Sequence, residues 1–184
     1  LLNGHRITRF RATAVFREDE QGTGPGSQFT HQLLMGMIAA EHPAGAVDEK
    51  NHISQRRRIA EFFETLGTQR YTNFILYIVD NKSPDDSLAV ARKLCASARF
   101  ETVVIENEEN YGVAKGNNIG IKAALRDGCD RVLLSNNDIV LVPDTIECLV
   151  RAMESGKAWM AVPKIHFHGT NKIWYAGGCY TYFA

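Results

Sequence analysis

Three short segments concentrate side-chain oxygens and amides directly after apolar runs. Asp80-Asn81 follows the run 74–79, Glu106-Asn107-Glu108-Glu109-Asn110 follows 102–105, and Ser135-Asn136-Asn137-Asp138 follows 132–134. Such residues suit hydrogen bonding to a polar ligand and the holding of a hard cation, which prefers oxygen donors. No Ser/His or Cys/His pair stands at these positions, so the pattern does not indicate a side-chain nucleophile with its base. Taken singly, an Asp or Asn after a strand is an ordinary turn former or helix cap. Turn chemistry alone has no need of so many carboxylates and amides at one edge.

A second feature lies just beyond the middle segment. Gly112, Gly116 and Gly120 recur every four residues, with Ala123 continuing nearly the same face. Inside a helix glycine costs roughly 1 kcal/mol relative to alanine. Repetition on one face implies that something approaches the backbone closely, either a packed strand or a ligand. Lys115, Asn117, Asn118 and Lys122 lie among these glycines, so the spacing is not that of a membrane helix pair.

The elements that must position these residues are legible around them. Ile59, Phe62, Phe63 and Leu66 fall at i, i+3, i+4 and i+7, the stripe of an amphipathic helix, with Gly67 placed to end it. The run 74–79 (FILYIV) reads as a strand covered on both faces. Ser83 is placed to cap a following helix, with Pro84 and Asp86 in its first turn and Leu88, Ala91, Leu94 and Cys95 on its inner face. A strand at 102–105, a helix at 113–125 and a strand at 132–134 follow. Asp144 and Glu147 then open a helix carrying Ile146, Leu149, Val150 and Met153. The run 32–40 reads as the first strand. This alternation predicts an α/β fold, a mostly parallel sheet with right-handed crossovers and helices on both faces. In such sheets ligands bind beyond the carboxyl ends of the strands, where the three polar segments stand. After Trp159 only short sheet pieces are expected, at 159–162, 164–168 and 172–176. At the other end, 8–16 has strand character, but 22–27 favours turns, so residues 1–30 read as a poorly structured tail.

Composition narrows the partners. Lys+Arg and Asp+Glu balance at 21 each, so no overall field draws nucleic acid or an anionic membrane, and an anionic ligand needs a local site. The four cysteines, Cys95, Cys129, Cys148 and Cys179, are far apart and read as isolated thiols of a reducing compartment. No apolar run approaches the ~20 residues needed to span a bilayer. The chain begins Leu1-Leu2-Asn3 and stops within the aromatic run 180–183, which leads us to expect a fragment, a trimmed product or a mis-called start.

Four segments in order resemble glycosyltransferase family 2, whose members have the GT-A fold. Val79-Asp80-Asn81-Lys82-Ser83-Pro84-Asp85-Asp86-Ser87 is similar to its "VDN-S-DgS" element, and Asn110-Tyr111-Gly112-Val113-Ala114-Lys115-Gly116-Asn117-Asn118-Ile119-Gly120 to its "NxGfaxgnNxGi". Leu133-Leu134-Ser135-Asn136-Asn137-Asp138 resembles "LLlNNDt", the local form of the DXD motif. Ile173-Trp174-Tyr175-Ala176-Gly177-Gly178 resembles the "iw-aGG" of rhamnosyltransferase-like members. The resemblance implies that residues 31–184 are the nucleotide-sugar-binding part of a GT-A domain, incomplete at its carboxyl end. It implies an inverting, metal-assisted transfer of a hexose from a UDP- or dTDP-sugar to a glycan or lipid-linked acceptor, as in polysaccharide biosynthesis. Asp80 would accept a hydrogen bond from the base, with Asn81, Lys115 and Asn118 as further donor contacts. Asp138, with Asn136 at the first DXD position, would hold Mg2+ or Mn2+ on the diphosphate. Trp174, Gly177 and Gly178 would lie at the edge between donor and acceptor. The location implied is cytoplasmic, or peripheral at the inner face of a membrane.

Two departures qualify that resemblance. The family's first strand ends in something like "VTYN", whereas here the text is Met37-Ile38-Ala39-Ala40-Glu41-His42-Pro43, so no side-chain role transfers. The acidic "ED" segment supplying the catalytic base has no counterpart before Ala184, which leaves a truncated, inactive nucleotide-sugar-binding fragment as the alternative. A nucleotidyltransferase would need a glycine-rich loop with a basic residue after the first strand, and a dinucleotide-dependent oxidoreductase a GxGxxG there. Neither is present.

Overall fold

The computed structural model describes residues 7–15, 33–38, 49–156 and 159–177, with side chains described for 56–155 and 159–177. The chain forms two compact units, one of residues 28–67 and 72–139 and the other of 1–27, 68–71 and 140–184.

The first unit is a four-stranded parallel sheet. Strands β2 (Leu33–Ile38), β3 (Phe74–Asp80), β4 (Glu101–Glu106) and β5 (Arg131–Asn136) lie in the order β4-β3-β2-β5. All neighbouring pairs are parallel, with Ile38 level with both Val79 and Asn136, and Asp80 level with Glu106. Helices α1 (Glu49–Gly67), α2 (Ser87–Ser97) and α3 (Gly112–Arg126) connect the strands. The chain steps outward from β2 to β3 to β4, then α3 carries it back across to the far side of β2. That reversal puts a topological switch between β2 and β5, the place where open α/β sheets leave a crevice at their carboxyl ends.

β3 is buried along its whole length, as the unbroken apolar run requires. Its alternate residues serve opposite faces. Ile75 and Tyr77 pack with Ala123, Ala124 and Cys129 at the α3 side. On the other face Phe74 meets Phe100 with ring centroids 5.2 Å apart, and Phe100 meets Phe63 of α1 at 6.0 Å. The predicted stripe of α1 is the buried one: Ile59, Phe62, Phe63 and Leu66 are all in the core. Tyr77 would be costly to bury without a partner, and its hydroxyl donates to Asp127 Oδ2 at 2.7 Å. Burial first, and then that carboxylate, push its phenol well above the usual tyrosine range. Burial likewise raises the Cys129 thiol.

The second unit is built differently. β1 (Ile7–Val15), β6 (Met160–Phe167) and β7 (Ile173–Tyr175) form an antiparallel sheet in the order β1-β6-β7, with α4 (Thr145–Gly156) against β1 and β6. The two pieces expected at 159–162 and 164–168 are one strand that runs through Pro163. Proline lacks the ladder donor, yet β6 keeps its register with β1 there, Pro163 opposite Ala12. The strand character of 8–16 is realised in β1, inside the stretch expected to be a tail. Its partner lies at the far end of the chain, beyond the reach of local composition. The remainder of residues 1–30 lies outside the described residues. Gln69 stitches this unit together, its Nε2 donating to the Val142 carbonyl at 2.9 Å while its Oε1 accepts from the Ile146 N–H at 3.3 Å. It thereby satisfies one of the orphan donors of the first turn of α4.

The packing of β3 makes a direct prediction. Leu76 is fully buried whereas Leu134, on β5, is 51% exposed. Leu76→Ala should lower unfolding stability by about 2–5 kcal/mol in urea denaturation, and Leu134→Ala by no more than about 0.5 kcal/mol.

Candidate functional site

The sheet brings the predicted polar segments to one edge. β3, β2 and β5 run parallel and end level, so Asp80 and Asn136 stand at the same carboxyl end with β2 between them. With neighbouring strands about 4.8 Å apart, the ends of β3 and β5 are separated by roughly 10 Å.

Asp80 is the last residue of β3 and is 4% exposed. A buried carboxylate must be hydrogen-bonded to be tolerated. Ser83 provides this twice over, its hydroxyl donating to Oδ1 at 2.5 Å and its N–H to Oδ2 at 3.2 Å. The tight return of the loop is made at Lys82, whose φ of 62° is unusual for a residue with a side chain. Ser83 is therefore not the helix cap that the sequence suggests. α2 starts later, at Ser87, whose N–H is taken by Asp85 Oδ1 at 3.0 Å. Asp86 is drawn instead to Arg56 of α1, whose Nε donates to it at 3.0 Å.

Asn81 is also buried, at 4% exposure. Its Oδ1 accepts from Asn107 Nδ2 at 2.6 Å, and its Nδ2 donates to the Gly112 carbonyl at 3.1 Å. Asn107 is the first residue after β4, and its N–H donates to the Asp80 carbonyl at 2.9 Å. In the sequence Asn107 is one of five polar residues in the segment 106–110, with nothing in its type to single it out. The signal was its position immediately beyond a strand, indistinguishable there from its exposed acidic neighbours Glu108 and Glu109.

The glycine face of α3 turns out to be a packing face. A Cβ on Gly116 would lie 2.7 Å from Asn81 Nδ2, and one on Gly120 would lie 2.9 Å from Val79 Cγ2. Of the two readings left open by the spacing, close approach of helix to strand is the one realised at both positions. Lys115 and Asn118 fall on the exposed part of the same helix. The Lys115 ammonium sits 3.3 Å from the centroid of the Tyr111 ring, a cation–π contact across one helical turn.

After β5 the chain turns at Asn137 and Asp138. Asn136 and Asp138 are exposed while Asn137 is buried. Among the described residues no group of three or more His, Cys, Asp or Glu side chains gathers around a common point. One open carboxylate flanked by amides is nevertheless a fitting donor set for Mg2+ or Mn2+, which keep waters and take oxygens from substrate phosphates rather than needing an all-protein cage.

Trp174 and Gly177 belong to the other unit. Trp174 is about half exposed, its ring centroid 6.1 Å from that of Tyr175. Gly177 has a φ of 101°, which accounts for a glycine at that position without any ligand. Gly178 lies outside the described residues.

Residues 51–178 match the family model described as Glycosyl transferase family 2. The chain belongs to that family. No curated protein matches it. Among solved structures it is similar to S. aureus TarS 1-349 in complex with UDP-GlcNAc, at 19% identity and a TM-score of 0.52, over 68% of this chain and 31% of that one. A second structure of S. aureus TarS matches at 19% identity and a TM-score of 0.48, over 68% of this chain and 19% of that one. The chain thus spans about a third or less of these two TarS structures. The family match and the α/β architecture bear out the predicted GT-A-type fold. No helix among the described residues is long and apolar enough to cross a membrane.

The double grip on Asp80 is testable without any ligand. Ser83→Ala removes one donor from a buried carboxylate and should cost about 1–3 kcal/mol in urea denaturation at neutral pH. A change below about 0.5 kcal/mol would mean that solvent replaces the hydroxyl.

Proposed function

We propose that this chain binds a UDP- or dTDP-linked hexose and serves an inverting, metal-assisted transfer of the sugar to a saccharide or lipid-linked saccharide. The observation that carries the reading is the buried Asp80 carboxylate, oriented by Ser83, at the same sheet edge as the exposed Asp138 and Asn136. Family membership supports the reaction class. The complex of S. aureus TarS with UDP-GlcNAc supports a uridine-linked donor.

Each residue then has a physical task. Asp80 accepts the imide N–H of uracil or thymine; cytosine has no such proton, so the carboxylate also selects the base. Because Ser83 already fixes the carboxylate, binding requires no reorganisation of that group. Lys115 and Asn118, exposed on α3, contact the diphosphate or the ribose. Asp138 and Asn136 hold Mg2+ or Mn2+. That ion, when bound, supplies Lewis-acid neutralisation of the charge that accumulates on the departing nucleoside diphosphate. The base that deprotonates the acceptor hydroxyl is assigned to no residue of this chain. Trp174, Gly177 and Gly178 stand as donor/acceptor-edge residues on sequence resemblance alone, as does membership of the rhamnosyltransferase-like subgroup. A working place at the inner face of a membrane, in polysaccharide synthesis, follows from the same resemblance.

Calorimetry with UDP and Mn2+ tests the donor site. Asp80→Ala should weaken UDP by at least about tenfold, and wild type should bind CDP weaker than UDP by a similar factor. Asp138→Ala should remove the gain that Mn2+ gives to UDP binding. Metal-dependent affinity that persists in Asp138→Ala would sink the proposed metal role.

A further inference from the structure

Asn81 stands next to the residue proposed to read the base, yet its amide faces inward. Both of its ends are engaged: Oδ1 by Asn107 Nδ2 at 2.6 Å, Nδ2 by the Gly112 carbonyl at 3.1 Å. It joins three segments at once, the end of β3, the first residue after β4, and the first residue of α3. A neutral amide meets this need with two separate atoms, because the site demands an acceptor on one side and a donor on the other. An ionised aspartate has no donor to offer the carbonyl, and an apolar residue would leave both partners unpaired.

The third wall of the amide's pocket is the backbone of α3 at Gly116. A Cβ there would stand 2.7 Å from Asn81 Nδ2 and 3.2 Å from Oδ1, closer than packed atoms sit. The same helix carries Lys115 in its first turn, and Asp80, the last residue of β3, immediately precedes Asn81. Displacing the amide therefore changes the spacing between the residue that reads the base and the helix that faces the rest of the nucleotide.

We infer that Asn81 is a positioning residue rather than a ligand of the nucleotide: its buried amide locks the loops after β3 and β4 to the first turn of α3, and Gly116 is glycine because that amide fills the space a side chain would need. As far as affinity is concerned, the inference rests on the donor-site reading given above.

The experiment compares Gly116→Ala, Asn81→Ala and Gly120→Ala in the full chain, by calorimetry with UDP and Mn2+ and by urea denaturation. Gly120→Ala is the informative control, because it crowds Val79 Cγ2 at 2.9 Å, one turn further along the same helix, without touching the amide. Gly116→Ala and Asn81→Ala should each weaken UDP by about tenfold, and Gly120→Ala by no more than about twofold even where it lowers the urea midpoint as much. Equal losses of affinity at 116 and 120 would mean that any displacement of α3 suffices, and would overturn the inference. So would wild-type affinity in either Gly116→Ala or Asn81→Ala. Should Gly116→Ala fail to fold, Asn81→Ala is read in its place against the same control. If wild type itself does not bind UDP, the donor reading fails, and the lock is judged on denaturation alone. The midpoint loss caused by Gly116→Ala should then shrink severalfold in an Asn81→Ala background, and additive losses would overturn it.

Discussion

The close approach of α3 to β3 is the constraint on which the rest of this sheet edge depends. A helix with ordinary side chains on that face would ride higher on the sheet. Glycines at 116 and 120 let its backbone down onto Asn81 and Val79. Once the helix is that near, the loop after β4 has little freedom, since it must deliver Gly112 to the amide of Asn81 and the N–H of Asn107 to the carbonyl of Asp80. The helix propensity given up at the glycines is small beside what their absence of side chains makes room for, a buried network in which both ends of the Asn81 amide are hydrogen-bonded. The opposite face of β3 has no such demand and is filled in the usual way, by rings: Phe63, Phe74 and Phe100.

How much of this could be read from the sequence follows from where the information lies. Strand β3 is legible because six of its seven buried positions form an unbroken apolar run, and α1 because its stripe is buried residue for residue. The carboxyl-end rule then pointed to the segments 80–81, 106–110 and 135–138, and the family resemblance singled out Asp80, Asn81, Asn136 and Asp138 among them. What escaped was the choice between equivalent local options. Ser83, Asp85 and Asp86 are all good cap residues, and nothing within the segment says which one caps. The decision is made from outside it, by the burial of Asp80, which recruits Ser83, and by Arg56 on α1, which takes Asp86. β1 is hidden for a similar reason, since its ladder partner β6 lies at the other end of the chain, and the proline inside β6 gives a local signal for a break that the paired strand overrides.

The site residues divide by burial in a way their residue types alone do not reveal. Asp80 and Asp138 are both carboxylates at the same sheet edge, one 4% exposed and the other open to solvent. On the proposed reading this difference matches two unlike tasks. Recognising a base means distinguishing one hydrogen-bond pattern from another, and a site does that best when its acceptor is fixed in advance and a mismatched ligand leaves it unpaired. Holding a divalent ion against a diphosphate requires the reverse, a carboxylate that keeps its waters and lets the ion take most of its oxygens from the substrate. Burying Asp138 would raise the cost of leaving it charged when no ion is bound. Exposing Asp80 would let water compete for the base. The contacts around Asp80, from Ser83 to its carboxylate and from the Asn107 N–H to its carbonyl, hold that residue inside the fold, whereas Asp138 stands on an exposed turn.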